Sequence, residues 1–489
     1  LNFKNRFVRL GGEFYQYKPP VPVAGPFSVA GNPDVAELLD LDPEALTSNG
    51  FAEYLGGNKP LPGTQPLAMV YSGFQFGNYN PQLGDGRGLL LGEIENSRGE
   101  VWDLYLKGCG QTRFCRGFDG RATLRSSIRE YLCGEAMAGL GIPTTRSLGI
   151  VGFQELIYRQ LPEPAAVLAR VARTHIRFGN FDYFHYTNRP EKVTELADHV
   201  IQHHFPHLMQ EPDKYARFFG EVIDRTAWMI ACWQAVGFAH GVMNTDNMSI
   251  LGETFDYGPF GFMDRFNPEF IPNHSDTHGR YAYGRQPEIA NWNLAKLGET
   301  LTHLVDPERL QKELERFPVL FNQYNRTLLA RKLGLQVLDA EFDNLVSEMF
   351  KLLFRHKPDY TNFFRALSGF RNGSIDTLRP YFQKNPDDLS HWLDRYTRLL
   401  DREDVSPEEQ QAAMDAVNPK YILRNYLAQG AIDRALKEND YSEIERLRVI
   451  LKNPFADQPE RFREWGIDPG RYACDTPEPY LGMQVSCSA

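Results

Sequence analysis

Between His240 and Asp264 the chain reads HGVMNTDNMSILGETFDYGPFGFMD. Asn247 and Asp256 present oxygen donors nine residues apart, close enough to meet across a hairpin-like turn. A small set of hard oxygen ligands suits Mg2+ or Mn2+ bound together with phosphate groups. Asp246 stands beside Asn247. It can take a proton from an attacking hydroxyl if it faces the open side of the site. In isolation an Asn-Thr-Asp-Asn group is also an ordinary turn with side-chain hydrogen bonds, so its meaning depends on the rest of the chain.

Kinase-type enzymes space such ligands similarly: a His, an Asp base two residues on, an Asn five beyond that, then Asp-x-Gly. Here Val242 fills the base position and cannot accept a proton, while Asn247 and Asp256-Tyr257-Gly258 keep the metal positions. This is the pattern of a site that keeps nucleotide and metal handling and rearranges the chemistry.

Three further groups belong with these loops. Gly84-Asp85-Gly86-Arg87-Gly88 is a glycine cluster whose backbone N–H groups can approach phosphate without a side-chain clash. A hairpin follows, GLLLGEIE and EVWDLYLKG around Asn96-Ser97-Arg98-Gly99. Its second strand puts Trp102, Leu104 and Leu106 on one face, and Val101, Asp103, Tyr105 and Lys107 on the other. Residues 122–138 have helical apolar spacing through Leu124, Ile128, Tyr131 and Leu132, with Glu130 beside that stripe. A strand Lys and a helix Glu 23 residues apart match the ion pair that holds a phosphate-binding lysine. Arg170, Arg173 and Arg177 fall at i, i+3 and i+7, which predicts one helix face and an anion clamp. A solvated basic face is the plainer alternative. His203, His204 and His207 lack a partner group at zinc-like spacing and are not assigned to a metal.

The elements that must carry these residues form a large globular chain. Of 489 residues, 42% are hydrophobic and 24% charged, and the net charge is −10. That balance argues against a general nucleic-acid or anionic-membrane binder. No apolar run approaches the roughly 18 residues of a membrane span, and no signal peptide is visible. The expected location is the cytoplasm, with a targeting segment upstream of Leu1 left open. Six cysteines without a Cys-x-x-Cys pair suit a reducing compartment; Cys487, near the end, is expected to be an accessible thiol. Residues 17–35 are expected to form an extended surface arm, and 60–88 a loop-like stretch. A helix is expected at 214–236, leading into His240. Ser406-Pro407-Glu408-Glu409 marks a helix start in a mainly helical region beyond 290. The segment 273–287 is too polar for a core and is expected to border the substrate.

These residues carry a specific resemblance. LKGCGQT, GFDGRATLRSSIREYL, GIPTTRSLGIV, GVMNTDNMSILGETFDYGPFGFMD and NHSDTHGRYAYGRQP, spread from about 84 to 290, resemble the selenoprotein O family (SelO, also called YdiU). The resemblance implies an α+β, two-lobed protein-kinase-like fold. Its parts would be an N-terminal arm with loops (1–60), an N-lobe (61–160), a C-lobe (161–300) and a helical extension (301–489). It implies a protein adenylyltransferase that binds ATP reversed relative to kinases and transfers AMP to Ser, Thr or Tyr hydroxyls. Its partners would be ATP, Mg2+ or Mn2+ and protein substrates. Carried onto this chain, Lys107 contacts phosphate and pairs with Glu130. Gly84, Gly86, Arg87, Asp119, Gly120, Arg170 and Arg177 line the nucleotide site. Asn247 and Asp256 hold the metal, and Asp246 is the base. Family members can carry a loop Cys able to pair with a C-terminal Cys. This chain has Pro272 in FIPNHSD and no Cys between Cys232 and Cys474. A kinase-type phosphotransferase and a catalytically inert nucleotide-binding scaffold are the competing readings.

Overall fold

Alternating apolar residues on either side of Asn96–Gly99 fold as expected into a hairpin, and that hairpin is the middle of the main sheet. The computed structural model describes residues 1–485 apart from 160, 374, 375 and 377; Cys487 lies outside them. The strands are β1 (Tyr15–Tyr17), β2 (Phe27–Gly31), β3 (Leu67–Met69), β4 (Gly73–Gln75), β5 (Asn78–Asn80), β6 (Gly88–Glu95), β7 (Val101–Lys107), β8 (Ala122–Thr123), β9 (Arg146–Tyr158), β10 (Pro162–Ala172), β11 (Phe238–Ala239) and β12 (Gly261–Phe262). The main sheet runs β1-β3-β6-β7-β10-β9-β2, with β8 also pairing β10. Its pairs are antiparallel. β4 and β5 form a separate small hairpin, and β11 pairs β12.

The two faces of β7 part as the two-residue period requires. Leu104 and Leu106 enter an apolar core with Val151 and Val167, under α1 (Pro33–Leu38) and α2 (Asn49–Leu55). Tyr105 joins the core on the opposite face, with residues of α3 (Leu124–Gly139). Thr123 caps α3 by accepting the Ser126 N–H, so the helix begins two residues later than its apolar spacing suggests.

The helices α4 (Phe178–Tyr186), α5 (Pro190–His204), α6 (Lys214–Val236) and α7 (Gln286–Thr300) build the body below the sheet. α6 spans the predicted range and ends at Gly237, whose φ of 71° is the left-handed conformation a glycine C-cap supplies. Further helices follow from Pro307 to Ala473. Among them Ser406 and Glu409 close the expected reciprocal cap. No helix among the described residues is long and apolar enough to cross a membrane.

Some expectations fail. Residues 17–35 are not simply an arm: they supply β2, which pairs β9, and the start of α1. The Pro- and Gly-rich composition hid Phe27–Gly31, whose partner lies more than a hundred residues away. The stretch 60–88 likewise contains β3, β4 and β5. The sheet does not stop at residue 160, because β9 and β10 flank that position and pair with each other. The segment 273–287 is substantially buried, with Asn273, Asp276, Tyr281 and Gln286 all inside. Several of its buried polar groups are hydrogen-bonded within the fold. Asp276 accepts the Arg280 and Tyr281 N–H groups, and Gln286 bonds His240 and Phe238.

Candidate functional site

The sheet brings Lys107 and Arg170 onto one face. Lys107 lies opposite Leu168, and Arg170 opposite Tyr105, two residues along on both strands. Glu130, buried on α3, meets them both. The Lys107 ammonium is 2.6 Å from its Oε2, and the Arg170 guanidinium binds its other oxygen. Arg170 also reaches Asp256, whose second oxygen takes Arg177 Nη1 at 2.7 Å. Lys107 stands 4.0 Å from Asp256. Three cationic side chains thus converge on two carboxylates.

Charge sets the protonation of this cluster. Burial works against ionisation of Glu130 and Asp256, but Arg170, with Lys107 and (for Asp256) Arg177, overcomes it and holds both carboxyls below their ordinary range. Burial brings Lys107 down to about 8, against the pull of Glu130. Asp256 also has φ of 57°, a left-handed backbone that Asp tolerates better than most residues.

The predicted helical arginine strip is not a helix. Arg170 is on β10, Arg173 follows the strand, and Arg177 precedes α4 with its N–H donated to Asn180. Only Arg170 and Arg177 enter the cluster. Arg173 lies over Trp102, with 4.8 Å from its guanidinium carbon to the ring centroid. Spacing of three and seven residues was an accident of a strand running into a turn.

The catalytic-loop segment is fixed from several sides. His240 is buried, stacks on Trp233 and bonds the Phe255 carbonyl at 2.9 Å, tying the two ends of the loop together. Asn247 donates its amide N–H to the Val242 carbonyl at 3.0 Å, which leaves its Oδ1 as an available oxygen ligand. Val242 therefore serves through its backbone. Thr245 donates to Asp182 at 2.6 Å and accepts the Phe74 N–H at 2.9 Å, pinning the loop to β4. Asp246 is buried; its Oδ2 lies 3.5 Å from the Gln75 amide and its Oδ1 has no hydrogen-bond partner. Burial pushes its carboxyl up to about 7, opposed by Arg177.

These groups line two hollows of about 440 and 420 Å3 that share Tyr71, Gln75, Gly86, Arg87, Arg116 and Asp246, and so form one cleft. One contains Lys107, Arg170, Arg177, Asn247 and Asp256; the other contains Gly84, Asp119 and Gly120. Every sequence-predicted site residue except Glu130, which lies behind Lys107 and Arg170, lines this cleft. The glycine cluster also has a packing role. The Asp85 and Gly86 N–H groups are already donated, to Met69 and Gly84 carbonyls. A Cβ on Gly84 would lie 2.6 Å from the Phe114 ring, and one on Gly86 would lie 2.9 Å from the Phe114 carbonyl. These glycines permit close packing on residues 114–115.

Several contributors were not anticipated. Arg159 grips Asp119 through two bonds of 2.7 and 3.0 Å. Tyr71 lies under Arg177 at 4.4 Å. Gln75 comes from the β4–β5 hairpin, for which the signal was Phe74-Gln75-Phe76 before Gly77-Asn78. Asn247 Oδ1 and Asp256 are hard oxygen donors on one cleft, of the kind that suits Mg2+ or Mn2+ with phosphate completing the shell. No group of three or more His, Cys, Asp or Glu among the described residues could hold a metal alone.

Comparison with known proteins places this chain among protein nucleotidyltransferases. The chain is 49% identical to the protein nucleotidyltransferase YdiU of Myxococcus xanthus over 491 residues, covering 100% of this chain and 99% of the relative. Relatives of the same name from Pseudomonas fluorescens (strain Pf0-1) and Azotobacter vinelandii are 47% and 45% identical, with the same coverage. Residues 1–452 match the family described as protein adenylyltransferase SelO. The chain belongs to that family.

Proposed function

We propose that this protein transfers AMP from ATP to Ser, Thr or Tyr hydroxyls of proteins, with ATP lying reversed relative to a kinase. The observation that carries the reading is the deep cationic cluster of Lys107, Arg170 and Arg177 together with a base position held by Val242 and an orphaned carboxylate, Asp246, nearby. The cations suit the terminal phosphates; with these inward, the α-phosphate would lie toward Asp246 and the adenosine toward the hollow lined by Phe114, Phe118 and Asp119. A divalent cation on Asn247 and Asp256 would neutralise phosphate charge there.

Asp246 takes the proton from the acceptor hydroxyl. The hydroxyl oxygen bonds to the α-phosphorus, the bond to the β-phosphate bridge breaks, and pyrophosphate leaves. Lys107, Arg170 and Arg177 stabilise the charge that develops on it. In this reading the sheet through Ala172 with α3 is the N-lobe of a two-lobed kinase-like body, the loops 240–258 belong to its C-lobe, and the helices after residue 300 are an extension. Cysteines without disulfides among the described residues support a cytoplasmic setting.

The test is incubation with protein acceptors, Mg2+ or Mn2+, and ATP labelled at the α or the γ position. Label from the α position alone is expected on protein, and Lys107→Ala or Asp256→Ala should abolish it. Transfer of γ-label would establish a kinase and overturn the proposal. Absence of any label across a range of acceptors would favour an inert scaffold.

A further inference from the structure

A second hollow, of about 510 Å3, shares no lining residue with the cleft. That size suits a small-molecule ligand, since such sites run from roughly 300 to 1,000 Å3. Arg173 enters it from the end of β10, His203 and His204 from the end of α5, Arg225 and Trp228 from α6, and Glu253 from the loop joining Asn247 to Asp256. These include two of the clustered histidines and the arginine that the cleft left unused.

Most of the polar groups here can donate. Arg173 lies over Trp102 at 4.8 Å and Arg225 over Phe205 at 4.3 Å. A guanidinium stacked this way keeps its in-plane N–H edge available to an acceptor. Among the described residues Arg173 makes no salt bridge, and Arg225 comes only within 3.9 Å of Glu221. Burial first, and then the positive field of Arg6, brings His203 down to about 4 and His204 well below its ordinary value. Each neutral imidazole therefore offers one N–H. Glu253 Oε2 is buried with no partner, while the Glu253 side chain accepts the Arg173 backbone N–H. Burial pushes this carboxyl up to about 8, so near neutrality it carries an O–H to donate. A positive field and convergent donors select an oxyanion. A metal cation finds no suitable cluster among the described residues.

We propose that this hollow binds a small phosphate-class oxyanion, either inorganic phosphate or the phosphate of a phosphomonoester, separately from the nucleotide cleft.

The test is calorimetric titration of the full chain with inorganic phosphate and, separately, AMP, after the cleft has been filled with a non-hydrolysable ATP analogue and Mg2+. One site is expected. Arg173→Met/Arg225→Met should weaken it about tenfold or more, the scale of charge-assisted hydrogen bonds, whereas the double Lys variant should retain most of the affinity. Glu253→Gln, which still has a donor, should keep binding. Phosphate binding without AMP binding would identify the free ion as the source, and AMP competing with phosphate would identify a monoester. Unchanged circular dichroism and a normal AMP-transfer rate control for folding. Should the double Met variant not fold, Arg225→Gln alone should still weaken binding about threefold or more. No binding with the cleft filled, or wild-type affinity in the folded Met or Gln variants, would overturn the proposal.

Discussion

The position of Asp246 can be tested from the residue it packs against. Gly73 lies on β4, and a Cβ there would stand 2.6 Å from Asp246 Oδ1 and 2.9 Å from its Cβ. Ordinary contact begins at 3.4 Å, so Gly73→Ala must push the carboxylate by about 0.8 Å, on the scale of displacements that disrupt a near-attack geometry. Retreat is limited. Thr245 is held by Asp182 and by the Phe74 N–H, and Gly179 packs so closely that a Cβ there would be 3.2 Å from Asp246 Cα. A misplacement near 1 Å costs about 100-fold in rate. Single-turnover transfer from α-labelled ATP should therefore slow by about that factor. The affinity for ATP should change less than about threefold, because Lys107, Arg170 and Arg177 are undisturbed. Asp246→Asn should cost about 100-fold to 10,000-fold, the usual worth of a proton acceptor. Adding Gly73→Ala to it should cost little more. A Gly73→Ala enzyme with wild-type rate, beside an inactive Asp246→Asn enzyme, would refute the steric argument. Wild-type activity in Asp246→Asn would remove Asp246 as the base.

The remaining predictions concern the supports of the cleft and the chain's stability. Glu130→Gln and Arg170→Met should each lower stability by about 3–5 kcal/mol, since each strands buried charge; the double variant should lose less than the sum, and additivity within about 0.5 kcal/mol in urea titrations would disprove the coupling. Arg159→Met releases Asp119 and should raise the KM for ATP severalfold with little change in kcat; a loss confined to kcat would contradict a positioning role. Burial among apolar groups brings Lys332 down to about 7 from 10.5. Between those values the unfolded chain binds the proton and the folded chain does not, so this residue makes stability rise with pH across that window. Lys332→Met should flatten the slope and stabilise the protein by up to a few kcal/mol near pH 7; an unchanged urea midpoint and slope would contradict this. Mn2+, followed by its paramagnetic resonance signal, should bind at least about tenfold more tightly with a non-hydrolysable ATP analogue than alone; equal affinity in the two states would show that the cluster does not link them.

What the sequence made legible was local. The β6–β7 hairpin, α3, α6 and the Ser406 cap all announce themselves through short-range periodicity or turn chemistry, and the face carrying Lys107 follows from counting along one strand. The Lys107/Glu130 pair was readable because its two elements are adjacent in sequence and strongly patterned. The arginines were not. Arg170 reaches Glu130 only because β10 pairs β7, some sixty residues earlier, and nothing in RVARTHIRFGN distinguishes a strand ending in a turn from a helix. The grip of Arg159 on Asp119 and the burial of 273–287 depend equally on partners that a local window does not contain. Asp256 was found by its motif, but its left-handed backbone is invisible in composition, since Asp is common in both turn and extended conformations.

The arrangement around Asp256 explains why metal and nucleotide should arrive together. Both of its oxygens are engaged by guanidinium groups, and Glu130 ties Arg170 and Lys107 into the same network. A cation approaching Asn247 and Asp256 alone would have to compete with two arginines for one carboxylate and add positive charge beside three cations. A polyphosphate changes both terms. It would give Arg170, Arg177 and Lys107 a multiply charged alternative partner, would free an oxygen of Asp256 for a metal, and would supply further ligands. The same reasoning bears on orientation. The end of the nucleotide with the highest charge density gains most from the deepest and least solvated cations, so in the proposed orientation the terminal phosphates would lie inward and the α-phosphate near Asp246. Val242 then fits the arrangement: a carboxylate at that position would bring negative charge to the inner end of the cleft, whereas its carbonyl is already used to orient Asn247.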